Sequence, residues 1–151
     1  MTGRICLSAA AAAAFCALPV AAFSGVVHVP AGGDVAAAVA AAETGDVVQL
    51  AAGEYVFAAE VKIEAGVTVR GAGRFLTTVK SDGATHRLFY LNHDDAILSD
   101  LTAQDAVTSG GAAVSVNKGT FQDAIVRNCR NSGYSGGVWI LNGTEIGRAH
   151  V

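Results

Sequence analysis

Three stretches of the chain align without gaps at a spacing of 25 residues: LFYLNHDDA (Leu88–Ala96), AVSVNKGTF (Ala113–Phe121) and VWILNGTEI (Val138–Ile146). Each reads apolar, spacer, apolar, Asn. Phe89, Val114 and Trp139 share one column, and Leu91, Val116 and Leu141 share another. Side chains two apart on a strand point the same way, so each repeat offers a two-residue inward face. A looser echo sets AILSDLTAQD (Ala96–Asp105) against TFQDAIVRNC (Thr120–Cys129). Periods of about 20–50 residues mark stacked repeat architectures. Three short β segments per period, with no helix among them, predict a parallel β-solenoid. A propeller wants about 40 residues or more per blade. A sandwich wants hairpin turns, yet Asn-Gly occurs only at Asn142-Gly143, where it aligns with the repeat turns.

The Asn column, Asn92, Asn117 and Asn142, is expected to serve a sharp turn, because Asn tolerates the left-handed conformation. Stacked amides would also hydrogen-bond from coil to coil as a structural ladder. Upstream, GVVHV (Gly25–Val29) reads as a strand. Asp34 is a good N-cap for the Ala/Val run that follows, Val35 and Val39 share a face, and Gly45 is the expected stop. This short helix suits the end of a solenoid, where an open core and an unpaired edge need covering.

Residues 1–22 predict a cleaved secretory signal. Arg4 is the basic n-region, Ile5 to Val20 is the apolar run, and Val20 and Ala22 precede a cleavage site before Phe23. The run is short of the roughly 20 strongly apolar residues of a membrane span, and no other stretch could cross a bilayer. The expected destination is therefore secreted or cell-surface. Cys6 and Cys16 leave with the signal, so Cys129 stays alone and stability must come from packing. A net charge of −3 is inconsistent with a basic nucleic-acid face. At the other end, IGRAHV (Ile146–Val151) is what ATC GGA AGA GCA CAC GTC encodes, the string of a common sequencing adapter. Residues 145–151 are read as adapter read-through, and residues 23–144 as the cap and first coils of a truncated domain.

ETGDVVQLAAGEYVFAAEVKIEAGVTVRGAGRFLTTVKSDG (Glu43–Gly83) resembles the opening of proteins in the pectin-lyase-like superfamily. The elements that match are Gly45-Asp46, Val47–Leu50, Gly53-Glu54-Tyr55, the turn Thr68–Gly73 and Thr78-Val79. The resemblance implies an all-β fold, a right-handed single-stranded parallel β-helix with a short N-terminal capping α-helix. It is specific for fold and silent on activity, since that scaffold serves lyases, hydrolases, esterases, depolymerases and bacterial surface adhesins.

Candidate chemistry starts at Asn92-His93-Asp94-Asp95. The resemblance implies Ca²⁺ on such carboxylates if the full-length protein is a lyase. Adjacent Asp94 and Asp95 point to opposite faces when extended, Ca²⁺ takes about six to eight oxygens, and the aligned positions are Gly119-Thr120 and Thr144-Glu145. The cluster reads as a solvated turn, with no cofactor evident. Asp100 and Asp123 match in the looser echo and could pair as in an inverting glycosidase. Such pairs stand about 6.5–9.5 Å apart, whereas neighbours on adjacent coils start near about 4.8 Å. Their flanks also lack the polygalacturonase patterns, so a structural turn is expected. Arg127 and Arg130, with Asn128 and Asn131, read as a solvated strip in which Arg127 could serve as a lyase base. GAGR (Gly71–Arg74) reads as a turn, Cys129 as a small core residue and Trp139 as an inward one.

The sequence thus predicts an exported β-helix repeat protein whose present residues are non-catalytic, surface-displayed or structural. Its partners are expected to be an extracellular polysaccharide or a cell-surface ligand, with no nucleic acid. The alternative is the leading part of a polysaccharide lyase or glycoside hydrolase with its active site beyond residue 144. An uncapped last coil predicts self-association through its open edge.

Overall fold

The computed structural model describes residues 24–133 and 136–146. The expected signal segment, and residues 147–151 of the expected read-through, lie outside them. The described residues wind as a parallel β-solenoid of about five turns with one short helix. All strand pairing is parallel, and no described helix is long and apolar enough to cross a membrane.

The elements run β1 (Val26–Val29), α1 (Val35–Ala41), β2 (Val47–Leu50), β3 (Gly53–Phe57), β4 (Val61–Ile63), β5 (Thr68–Arg70), β6 (Thr77–Ser81), β7 (Phe89–Ser99), β8 (Thr102–Gln104), β9 (Val107–Thr108), β10 (Val114–Gln122), β11 (Ile125–Arg127), β12 (Arg130–Asn131), β13 (Val138–Ile140) and β14 (Thr144–Ile146). Long strands β7 and β10 span a corner, so one eight-stranded sheet supplies two faces of a prism. The first face stacks β4, Phe89–Leu91, Val114–Val116 and β13. The second stacks β1, β2, β5, Ile97–Ser99, Thr120–Gln122 and β14. The third stacks β3, β6, β8 and β11, and β9 with β12 forms a narrow fourth edge.

Alternation along these strands builds the core. Val48, Val69, Leu98 and Phe121 lie one above another on the second face, all fully buried. On the third face the equivalent file is Tyr55, Val79, Ala103 and Val126. Phe57 meets Phe89 edge-on, ring centroids 5.2 Å apart, across the interior. Tyr55 brings a hydroxyl inside, and its O–H reaches the Val29 carbonyl at 2.9 Å. Burial pushes that phenol's pKa up.

Asp34 caps α1, its Oδ1 accepting from the Ala37 N–H at 2.9 Å. The helix ends at Ala41 with Ala42 as C-cap, short of the Gly45 expected. The chain must turn back there to enter β2, and Asp46 sets that turn. Its carboxylate accepts from the Glu43 N–H at 2.8 Å and the Gly25 N–H at 2.7 Å. Val35 and Val39 are buried against the first coils, and α1 packs beside β4, where no first-face strand precedes it.

Three sequence expectations need correction. The repeat is not uniformly 25 residues: Val26 lies under Val47 and Val47 under Thr68, while Thr68 pairs with Ile97 and Thr120 with Thr144. The third repeat is also offset by one. Val114 pairs with Val138 and Val116 with Ile140, so those residues face inward. Trp139 and Leu141 turn outward, 45% and 66% exposed. Finally, Asn92 and Asn117 do not take the left-handed conformation; among the described non-glycine residues it belongs to Asp100, Asp105, Asp123 and Asn128. These four form the corners between faces, where one residue must reverse the strand's twist.

Candidate functional site

The solvent side of the first face carries the column Lys62, Tyr90, Ser115, Trp139, one residue per coil. Two large aromatic side chains thus flank a small one. Strands stack about 4.8 Å apart, which sets Tyr90 and Trp139 about 10 Å from each other along the solenoid. Between them lies a groove of about 300 Å³, walled by Arg87, Tyr90, Trp139 and Leu141 and floored by Gly110, Gly111 and Ser115. Ser115 points outward yet is only 7% exposed, because its taller neighbours and the Gly110-Gly111 segment enclose it. Its Oγ has no hydrogen-bond partner within the protein.

Arg87 reaches this groove from the turn before β7. Its guanidinium lies 5.2 Å from the Tyr90 ring centroid, and its Nε pairs with Glu60 Oε1 at 2.7 Å. Glu60 comes from the turn before β4, so the ion pair ties two coils together and neutralises the groove wall. Gly111 adopts φ +107°, and a Cβ there would stand 3.5 Å from Arg87 and 3.9 Å from Ser115 Oγ. A side chain at this position would fill the floor. Asn117 also lines the groove, and its Nδ2 donates to Asn92 Oδ1 at 2.6 Å. Asn142 adds a backbone bond, its N–H to the Asn117 carbonyl at 3.1 Å, and its side chain is exposed.

The acidic candidates lie elsewhere. Asp94 is exposed at the corner between the first and second faces, its Oδ2 3.3 Å from Lys118 Nζ. Asp95 is exposed too, and its backbone N–H donates to His93 Nδ1 at 3.2 Å. Among the described residues no three His, Cys, Asp or Glu side chains gather as metal ligands.

Asp100 and Asp123 do come together, at equivalent corners between the second and third faces. With Gly73, Arg74, Phe75 and Leu76 they line an open depression of about 450 Å³. Both adopt left-handed φ, 57° and 46°, and Ser99 Oγ donates to Asp100 Oδ2 at 3.0 Å. Corner geometry accounts for an Asp at each, since its short polar side chain tolerates that conformation. Arg127 lies on the third face, its Nε donating to Gln104 Oε1 at 2.8 Å. Cys129 is half-buried, its thiol donating to the Arg127 carbonyl at 3.3 Å. Burial pushes the thiol's pKa up, which disfavours the thiolate.

Sequence reasoning missed Tyr90, Ser115, Arg87 and Glu60 and turned Trp139 the wrong way. Tyr90 and Ser115 were discernible as the outward partners of Phe89/Leu91 and Val114/Val116. Arg87 and Glu60 come from different coils and share no repeat column, so nothing in the sequence pairs them.

No family model, curated protein or solved structure matches the chain. Its architecture is that of a parallel β-solenoid of about five turns.

Proposed function

We propose that the chain is an exported, non-catalytic repeat protein of the pectin-lyase-like type whose first face binds a ligand at the cell surface. The observation that carries this reading is the groove lined by the outward-facing Tyr90 and Trp139, with Arg87 and Asn117 as its polar side chains. Concave, mostly apolar sites with a few convergent polar groups are where small ligands bind. Support for the family comes from the Thr68–Arg70 strand, the residues 71–73 that follow it and the Thr77–Ser81 strand standing in the order the resemblance implies. Support for export comes from the basic, apolar and small-residue order of residues 1–22. Binding is favoured over cleavage because Asp94 and Asp95, Asp100 and Asp123, and Arg127 occupy different corners and faces, and none of them lines the groove.

The test is to express the chain in a bacterial host, fractionate the cells and assay the exported product on pectate and polygalacturonate. The expected outcome is a processed chain beginning at Phe23, found outside the inner membrane, that releases no fragments. An unprocessed cytoplasmic chain, or measurable depolymerisation, refutes the reading.

A further inference from the structure

Resting on the export part of that reading, we propose that Asn142 is an N-glycosylation site whose side-chain amide carries one oligosaccharide in the exported chain. Sequence, exposure and local packing each point to this residue.

The sequence condition is narrow. An acceptor asparagine needs Ser or Thr two residues on, with any residue but proline between. The chain has five asparagines, Asn92, Asn117, Asn128, Asn131 and Asn142, and only Asn142-Gly143-Thr144 meets that condition. All three residues precede the expected adapter read-through.

The structure separates the same residue from its stacked neighbours. Asn117 commits its Nδ2 to Asn92 Oδ1, and both of those residues are half-buried. Asn142 joins the stack through its backbone N–H instead, bonded to the Asn117 carbonyl at 3.1 Å, and stands exposed. It lies between the end of β13 at Ile140 and the start of β14 at Thr144, at the corner of the first and second faces. Acceptor asparagines belong to such surface turns.

Packing fixes how the triplet faces. A Cβ on Gly143 would stand 2.3 Å from Val116 Cγ1 and 2.9 Å from the Gly119 carbonyl oxygen, so this middle residue is pressed against the coil below. Asn142 and Thr144, on either side of it, are both exposed. The amide that reacts and the hydroxyl that is recognised therefore reach solvent together, and glycine adds no side chain to crowd them.

The chemistry is a group transfer from an oligosaccharide joined through diphosphate to a polyprenol lipid, catalysed by a membrane-bound transferase of the export pathway. Asn142 Nδ2 bonds to the anomeric carbon as the bond from that carbon to the diphosphate oxygen breaks. Polyprenyl diphosphate leaves with the bonding electron pair, and the displaced amide proton passes to a base of the transferase. The product sets a bulky, hydrated group next to the exposed Leu141.

The test expresses the full chain in a eukaryotic secretory host, with its own residues 1–22 and, in parallel, with these exchanged for an established secretion leader. The chain is recovered from the medium and from the secretory membranes, so retention does not hide a glycan. The expected product carries one glycan by intact mass, removed by peptide N-glycosidase. Release in heavy-oxygen water is expected to leave a labelled aspartate at position 142, which separates a glycan from spontaneous deamidation of Asn-Gly. Asn142→Gln and Thr144→Ala are expected to lose the glycan completely with unchanged far-ultraviolet dichroism. Thr144→Ser and Asn131→Gln are expected to keep it.

The inference is overturned if the chain behind the established leader carries no glycan, if the label falls on another asparagine, or if Thr144→Ala keeps the glycan. If the native leader leaves the chain in the cytosol while the established one yields the glycan at position 142, the export reading fails and the site stands.

Discussion

Asn117 donates its side-chain amide to the Asn92 carbonyl oxygen at 2.6 Å, one coil below and 25 residues earlier. The two stand where the first face bends into the second, and neither takes a left-handed backbone. The contact is a side-chain rung linking adjacent coils. Asn117→Ala is expected to destabilise the chain by about 1 kcal/mol, the scale of one net hydrogen bond. Urea denaturation with an unchanged m-value checks it.

Gly119 sits in the bend of β10 with φ +101°, and a Cβ there would lie 2.6 Å from the Ala96 carbonyl oxygen and 2.8 Å from that of His93. Both obstacles are backbone, which cannot swing aside. Gly119→Ala is expected to cost about 3 kcal/mol, from strain and collision together. Thermal unfolding of the variant beside Gly83→Ala separates the two effects, because Gly83 shares the positive φ but has open space around it.

Asp123 holds its corner at φ 46°. If conformation is its role, Asp123→Asn is expected to leave stability within about 0.5 kcal/mol, whereas Asp123→Val costs about 1–2 kcal/mol because a β-branched side chain resists that region. A chemical role would instead make both substitutions equally harmful to whatever activity is assayed.

Asp46 accepts two backbone N–H groups, from Glu43 and Gly25, and these hold its carboxyl below the usual carboxylate range. Asp82 is lowered likewise, first by the Ala84 N–H. A depressed folded-state pKa gives stabilisation that is complete above the ordinary value of about 4 and fades as pH falls through the folded one. The chain is expected to lose stability on acidification below about pH 4, with a shallower loss in Asp46→Asn. Denaturant midpoints across an acid series test the slope.

The one-residue offset of β13 also has a consequence in solution. Trp139→Ala is expected to change stability by no more than about 0.5 kcal/mol, while Ile140→Ala, at a position that packs against the core, costs more than about 1 kcal/mol. The reverse order would place Trp139 inside.

Much of the scaffold was legible. The alternation at Phe89/Leu91 and Val114/Val116, the cap at Asp34 and the parallel stacking all follow from local periodicity, which the sequence records directly. The third repeat misled because a gapless alignment weights Asn142 as heavily as the strand before it, and a single residue of slip inverts every side chain. The corners misled for a different reason. Asn tolerates a left-handed backbone without requiring one, so Asn92 and Asn117 could serve a hydrogen bond while Asp100 and Asp123 took the strained positions. The groove was hidden because Arg87, Tyr90 and Trp139 come from different coils and line one groove only once the register is known.

The segments joining the third face to the first run over residues 58–60, 82–88 and 105–113, lengthening with each turn, and the last of them carries β9. Most joins from the second face to the third stay at two residues, 51–52, 100–101 and 123–124. Growth is thus confined to a single ridge of the prism. A foreign loop grafted at the exposed Ser109-Gly110 tip would ride outside the stack, whereas an insertion beside Asp100 or Asp123 would throw the coils out of step.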